Sequence, residues 1–354
     1  MIVIGIDPHK KTHTAVALSA TTGEVIGQIT VPARRAGHER LLSWARRLSG
    51  ERLFAIEDCR HVSLALESLL VRSAERAVRV PPKMMGRARA GARSRGKSDP
   101  IDAAAVARAA LAQPDLPVAA LAGPEREIRL LVDYRDRLVG ERTGVQQSLR
   151  WRLHELAPGL EIPAGALDRR RWLDRVGEQL ARTPTGLQRR LAGAELDRCL
   201  ALCREIRDLE REIAALVGQV APQLIALPGC GPLTAAKLVG EIAGAERFDS
   251  PARLAMHAGV APLAASSGNR QRHRLNRSGN RQLNCALHRV AVTQGRIHEP
   301  ARQYLARKQA EGKGRMEALR CLKRHLANVI WRLLTASSAA TPDPGGTMLA
   351  PGLT

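Results

Sequence analysis

Hydrophobic positions in the first eighty residues recur with the period of strands and then lengthen to that of helices. Ile2, Ile4 and Ile6 occupy every second position and predict a strand; Thr12 to Leu18 predicts a second and Val25 to Val31 a third, with a turn at Thr21-Thr22-Gly23-Glu24. These three make a meander. Leu41, Leu42, Trp44, Ala45 and Leu48 fall on one face of a helix over 37–48, after which 53–56 reads as a short buried strand, 62–71 as a helix and 77–80 as a further strand. From about residue 121 the pattern is helical with charged opposite faces. Ile128, Leu131, Val132, Leu138, Val145 and Leu149 form one apolar stripe, and Leu196, Leu200, Ile206, Leu209, Ile213 and Leu216 another. They predict two long helices packed as an antiparallel or dimeric coiled coil, separated by breaks at Pro158, Pro163 and Pro184. Residues 221–335 read as a third, mainly helical domain, and 336–354, rich in Ala, Ser, Pro and Gly, as a disordered tail.

With a helix opening at Asp99, the first 120 residues have the order βββαβαβα, which is that of the ribonuclease H-like fold. In that order, acidic residues from the first strand, the fourth strand and the last helix meet at one edge. Asp7 follows the strand Ile2 to Ile6, and Glu57 follows Leu53-Phe54-Ala55-Ile56. Asp99 and Asp102, in Lys97-Ser98-Asp99-Pro100-Ile101-Asp102-Ala103, stand three apart in a first helical turn that tolerates Pro100, so they face the same way. Asp58, one residue past Glu57, points to the opposite side of the strand. Four carboxylates converging without basic partners repel one another. Oxygen ligands of this kind suit Mg²⁺ or Mn²⁺, and two ions about 4 Å apart can clamp both oxygens of a phosphoryl displacement. His9, Lys10 and Lys11 lie just beyond Asp7, within reach of a nucleic-acid backbone or simply at the surface of a turn.

Charge points to the partner. The 354 residues carry 56 Lys and Arg against 34 Asp and Glu, a formal net charge of +22, and Arg far outnumbers Lys. Arg grips phosphate oxygens in pairs, so nucleic acid leads and an anionic membrane trails. Between Arg76 and Lys97 there are eight cations, among them Arg87, Arg89, Arg93, Arg95 and Lys97, and no acid. Such a stretch beside carboxylates is what draws a phosphate backbone to a site that otherwise repels it. Aromatic residues are only 2% of the chain, too few for base-stacking platforms. The six cysteines form no CxxC pair and no zinc-ligand spacing, and read as reduced core thiols. No apolar run approaches a signal peptide or a membrane span, so a cytoplasmic, nucleoid-associated protein is expected.

The third domain opens on Leu227-Pro228-Gly229-Cys230-Gly231-Pro232, a G-x-G turn leading into a helix, as in a helix-hairpin-helix whose turn amides bind backbone phosphate. Between Ser250 and His298 there are eight Arg and no Asp or Glu, including Arg270, Arg272, Arg274 and Arg277. That stretch holds Ala265-Ser266-Ser267-Gly268-Asn269-Arg270. A serine in such a field can attack a phosphodiester, because guanidinium groups stabilise the charge that develops on phosphorus; a Ser-Gly pair can equally be only a turn.

Taken in order, G-I-D-P-H-K-K-T-H, A-I-E-D, K-S-D-P-I-D-A, L-P-G-C-G-P-L-T-A, R-F-D-S, L-A-M-H-A-G-V-A-P, S-S-G and N-R-S-G-N-R-Q-L-N resemble the insertion-sequence transposases of the "IS one-ten" family, relatives of the Piv-type DNA invertases. The resemblance covers residues 1 to about 335. It implies an Asp-Glu-Asp-Asp RuvC-like domain (1–120), a coiled-coil linker (121–220) and a transposase domain with a catalytic serine (221–335). It also implies double-stranded DNA at element ends and target, a structured guide RNA encoded by the element, and a homo-oligomer, dimer or tetramer. By motif match Asp7, Glu57, Asp99 and Asp102 are the tetrad and Ser267 the nucleophile, with Ser266 a rival because the serine is doubled. The last motif ends in Leu283-Asn284 where the family commonly has Leu-Arg, which suggests one phosphate contact fewer. Without serine chemistry, the same residues describe a RuvC-like, metal-dependent, structure-specific nuclease. An actin-like ATPase or sugar kinase would need a D-x-G-T phosphate loop, which Asp7-Pro8-His9-Lys10 is not, and an architectural DNA or RNA binder leaves the carboxylates unexplained.

Overall fold

In the computed structural model, β1 (Ile2–Pro8) is the central strand of a five-stranded sheet in the order β3-β2-β1-β4-β5. β2 (Thr12–Ser19) and β3 (Val25–Pro32) run antiparallel on one side of it, and β4 (Arg52–Glu57) and β5 (Ala77–Val80) parallel on the other. The meander, and the crossovers through α1 (Arg35–Arg46) and α2 (Arg60–Arg72), follow the order expected from the sequence. The structure describes residues 1–81, 84, 98–113, 116, 118–119, 123–264, 273–276 and 279–338.

Strand alternation sorts the core into two layers. Ile2, Ile4 and Ile6, with Ala15, Ala17, Phe54 and Ile56, pack against Leu41 and Leu42 of α1 and Leu66 and Leu70 of α2. Val3, Val16, Leu18, Ala55, Val78 and Val80 pack on the other face against α3 (Asp99–Ala112). Covered on both faces, β1 is buried at every position, as strands between helical layers are. The α3 layer is thin. A Cβ on Gly5 would stand 2.0 Å from the carbonyl oxygen of Ala103 and 2.5 Å from the amide of Ala107, so the backbones of strand and helix nearly touch. The alanines of α3 permit this approach from their side. Below the sheet, the buried Arg79 of β5 donates to the buried Glu67 of α2, with Nε 2.9 Å from Oε2. Arg79, counted in the cationic stretch, is therefore a structural partner of Glu67.

The chain divides into two compact units. One comprises Met1–Gly123, Gly244–Asn284 and the chain from Arg324 on; the other comprises Pro124–Ala243 and Cys285–Lys323. Residues 221–335 contribute to both. In the first unit, the returning segment is tied to the sheet domain by the buried Arg247, whose Nε donates to the Val118 carbonyl at 2.8 Å. Trp331, on the helix Arg315–Ser338, donates to the Phe248 carbonyl at 3.1 Å. That helix runs three residues past the boundary expected at 335.

The second unit is built on α4 (Pro124–Leu156) and α6 (Leu187–Val220). They lie antiparallel: Tyr134 bonds Glu205 at 2.7 Å, Arg198 Nε bonds Glu141 at 2.9 Å, and Ser148 bonds Glu195 at 2.6 Å. Leu149, Leu153, Leu196, Cys199 and Cys203 form a core with Leu173, Val176 and Leu180 of α5 (Arg170–Arg182). Burial pushes the Cys199 thiol up to about 11 and that of Cys230 to about 12, so both stay protonated. Not every cysteine is a core thiol: Cys285 is exposed, and Cys59 and Cys321 are half-buried. The G-x-G turn joins the four-residue α7 (Pro222–Ile225) to α8 (Pro232–Ile242), with Gly229 at φ +78°.

One buried pair in the first unit is titratable. His13 of β2 stacks on His38 of α1 with ring centroids 5.0 Å apart, both rings buried. Burial first, and then the neighbouring His38 and His9, lower His13 from 6.5 to about 4, with a backbone hydrogen bond at Thr12 partly opposing; burial lowers His38 too. Between pH 6.5 and about 4 the unfolded chain binds the proton that folded His13 refuses, so stability is full above 6.5 and falls as pH drops through that window. The loss amounts to about 3 kcal/mol at most. Denaturant titrations from pH 7 to 4 should show His13→Phe, which keeps a stacked ring, with a shallower decline than wild type; parallel declines would mean the pair does not titrate on unfolding.

Candidate metal centre

Asp7 is the sixth residue of β1 and is 4% exposed. The parallel register pairs Gly5 with Ala55 and Ile6 with Ile56, and continuing it by one residue sets Asp7 beside Glu57 at the end of β4. Alternation fixes which face they share. Val3 and Ala55 belong to the layer against α3, so Asp7 and Glu57, at the same parity, stand on the α3 side. Asp58 follows Glu57 at the opposite parity.

α3 supplies the other two carboxylates. Ser98 precedes the helix in extended backbone, Pro100 occupies the first turn, and the Asp102 amide donates to the Ser98 carbonyl at 3.0 Å. Two acids in that turn also suit the positive end of the helix dipole. Asp102 is 7% exposed, while the Asp99 side chain is about half-exposed. The turn between β1 and β2 brings Asp99 and Asp7 together through His9, whose Nε2 lies 3.2 Å from Asp7 Oδ2 and 3.5 Å from Asp99 Oδ1. Among the described residues, Asp7, His9 and Asp99 offer ligand atoms all within 4.8 Å of one another. Negative charge is felt nearby: the Cys59 thiol is held above its ordinary value by burial, then by Glu57, Asp58 and Asp7.

The donor set suits a hard divalent cation, being carboxylate oxygens on rigid elements with one imidazole at the rim. Asp7 and Glu57 thus stand on the α3 side of the sheet and Asp99 and Asp102 in the first turn of α3; the ligand group within 4.8 Å takes in Asp7 and Asp99 with His9, and not Glu57 or Asp102. The sequence alone left His9 undistinguished from Lys10 and Lys11, both exposed; its spacing of two from a strand-end aspartate was the available signal.

The later motifs form a second cluster in the same unit. α9 (Pro251–His257) is capped by Ser250, which accepts from the Arg253 amide at 3.4 Å. The chain after it packs on Asn276 and on residues 279–284. A Cβ on Gly279 would lie 2.2 Å from Gly259, and the Asn280 amide donates to the His257 carbonyl at 2.7 Å. Asn276 Nδ2 donates to the Met256 carbonyl at 3.1 Å, and Asn284 Nδ2 to the carbonyls of Ala258 and Gly259 at 3.0 and 3.2 Å. Asn284, the departure from the family's Leu-Arg, thus satisfies carbonyls at the end of α9. Between the two motifs, β6 (Leu263–Ala264) pairs antiparallel with β7 (His273–Arg274).

Both clusters fall in segments that match family models. Residues 4–158 match the model "DEDD Tnp IS110", described as a transposase, and residues 221–306 match the "Transposase IS116/IS110/IS902 family". The chain belongs to the IS110 family of transposases. Similar proteins include the "Insertion element IS116 uncharacterized 44.8 kDa protein" of Streptomyces clavuligerus, 29% identical over 99% of this chain and 98% of that one. Another is the "Transposase for insertion sequence element IS1111A" of Coxiella burnetii, 26% identical over 68% of this chain and 67% of its own length. A solved structure, T. thermophilus RuvC in complex with a Holliday junction substrate, matches 32% of this chain and 94% of its own at 15% identity and a TM-score of 0.27.

As an IS110-family transposase whose residues 4–158 match the family's DEDD model, the protein is a DNA-acting phosphoryl-transfer enzyme, and Asp7, His9 and Asp99 offer ligand atoms that could hold a metal ion. Among the described residues no helix is long and apolar enough to cross a membrane. Ser266, Ser267, Arg87, Arg89, Arg93, Arg95, Lys97, Arg270, Arg272 and Arg277 lie outside the described residues, and Arg274 stands on β7.

The spacing of the transposase's carboxylates depends on the seat of α3 at Gly5. Gly5→Ala should cost at least about 1–3 kcal/mol in denaturant unfolding and weaken divalent-metal binding by calorimetry, since α3 must move off β1. A folded Gly5→Ala protein with unchanged metal affinity would show that this seat does not set the site.

Proposed function

We propose that this transposase excises and inserts a mobile DNA element by transesterification, with Asp7, Glu57, Asp99 and Asp102 holding Mg²⁺ or Mn²⁺ and Ser267 acting as nucleophile. One observation carries the reading: Asp7 at the end of β1 and Asp99 at the start of α3 meet across His9, on the face that Glu57 shares. When bound, the metal supplies Lewis acidity to the attacked phosphate and to the leaving oxygen. The chain's own groups do the rest. Ser267 Oγ bonds to phosphorus as a phosphorus–oxygen bond to the sugar breaks, and the serine proton passes to the released sugar oxygen. No water is consumed, so the phosphodiester is conserved for rejoining without ATP. Arg270, Arg272 and Arg274 balance charge on the attacked phosphate.

Support for joining the two chemistries comes from the path of the chain: the described residues that flank the serine motif, 244–264 and 273–276, belong to the same compact unit as β1 and α3. In this reading Arg87, Arg89, Arg93, Arg95, Lys97 and Arg277 engage the backbones of double-stranded DNA and of an element-encoded guide RNA. The working form is a homo-oligomer, dimer or tetramer, at the nucleoid in the cytoplasm.

Asp102→Asn keeps side-chain shape but removes a ligand charge, and should abolish strand exchange with the fold intact by circular dichroism. Wild-type recombination in that variant would sink the metal assignment. Gel assays for protein covalently attached to DNA should lose the adduct in Ser267→Ala and keep it in Ser266→Ala. If wild type cuts without an adduct, or both single variants still trap DNA, hydrolysis by metal-activated water becomes the better account.

Neutralising Arg87, Arg89, Arg93 and Arg95 together should flatten the dependence of log binding constant on log salt by up to about four units. An unchanged slope would show that this stretch does not touch phosphate.

A further inference from the structure

We infer that His9 is a nitrogen ligand of the carboxylate site and tilts its selectivity from Mg²⁺ towards Mn²⁺. The inference rests on the metal reading proposed above and extends it to a residue outside the tetrad. Donor atoms about 2.1 Å from one octahedral ion stand about 3 Å apart when adjacent and about 4.2 Å apart when opposite. His9 Nε2 lies 3.2 Å from Asp7 Oδ2 and 3.5 Å from Asp99 Oδ1, close to the adjacent separation, and the three atoms fit within 4.8 Å of one another. One ring nitrogen faces both oxygens. As a hydrogen-bond donor Nε2 has a single N–H and must divide it between them, whereas as a ligand its lone pair points into the space that both carboxylates border.

The loop holds the imidazole there. His9 donates its amide to the Thr12 carbonyl at 2.9 Å, Ala33 donates to the Lys11 carbonyl at 2.8 Å, and Pro8 pairs with His13 in the antiparallel register of β1 and β2. The three-residue connection is thus fixed on both flanks, which lowers the entropy lost when the ring binds. Its side chain is half-exposed, so little desolvation opposes an ion approaching from solvent. Carboxylate and water ligands suit Mg²⁺, which seldom takes nitrogen, while an imidazole favours first-row transition ions. Adding His9 to an oxygen set therefore moves the preference towards Mn²⁺.

The test uses the full-length protein and each metal ion alone. Calorimetric titration should show His9→Ala losing at least about tenfold in Mn²⁺ affinity while Mg²⁺ affinity changes by less than about threefold. Pulsed electron paramagnetic resonance of the Mn²⁺-loaded wild type should show ¹⁴N coupling that disappears in His9→Ala, and His9→Asp should restore tight binding without nitrogen coupling. An unchanged ratio of Mn²⁺ to Mg²⁺ affinity, or ¹⁴N coupling that survives in His9→Ala, overturns the assignment while leaving the carboxylate site standing. If neither ion binds wild type, or Asp102→Asn binds both as tightly as wild type, the carboxylate reading itself falls and takes this one with it.

Discussion

The near-contact of α3 with β1 at Gly5 is the constraint on which the site depends. A side chain there would meet the Ala103 carbonyl oxygen at 2.0 Å, so the helix rests on strand backbone rather than on a layer of side chains. Two positions along the same face, the next side chain is Asp7, and the start of the resting helix carries Asp99 and Asp102. Apolar packing thereby forces together groups that electrostatics would keep apart. The core supplies the energy: Val3, Ala55, Val78 and Val80 bury against a helix that offers them almost nothing but alanine methyls and Val106. Asp7 and Asp102, buried at the end of such a layer, are poorly solvated, a cost that a bound cation would offset.

Much of this was legible in the sequence because it is carried by alternation. Period-two apolar positions from Ile2 to Ile6 and Leu53 to Ile56 assign each strand's two faces, and they place Asp7 and Glu57 on one face while Asp58 takes the other. The helical stripes of α4 and α6 likewise announced two long packed helices, antiparallel or dimeric, with Ile128, Leu138, Leu149, Leu196, Ile206 and Ile213 all buried. Roles set by a single long-range contact were not legible. Arg79 reads as one more cation until Glu67 of α2 is found against it, and Asn284 reads as a lost phosphate contact until its amide is seen bonding two carbonyls. Cys285 reads as a core thiol because nothing local marks the exposed face of its helix.

The second cluster is built on a different principle. Around Gly259 and Gly279 the chain approaches itself too closely for side chains, and the carbonyls at and just after the end of α9 are satisfied by the side-chain amides of Asn276 and Asn284 and the backbone amide of Asn280. Glycine removes bulk and asparagine supplies short donors, so a segment rich in both can form a rigid knot with little apolar burial. The motif N-R-S-G-N-R-Q-L-N carries asparagine at every fourth position: the side chains of 276 and 284 turn toward the end of α9, while that of 280 accepts from the Leu283 amide at 3.0 Å at the start of the following helix.

The two clusters together account for the charge of the chain. A partly exposed acidic centre at the carboxyl end of the central strand repels the DNA on which this transposase acts, and carboxylate charge cannot be removed there without losing the candidate ligands. Compensation has to come from elsewhere in the sequence, and it does: the cations between Arg76 and Lys97 lead directly into Asp99, and the acid-free stretch from Ser250 to His298 flanks β6 and β7. On the function proposed above, a net charge of +22 meets opposing demands, in which a few carboxylates are to hold a metal and a larger number of guanidinium groups is to draw phosphate toward them.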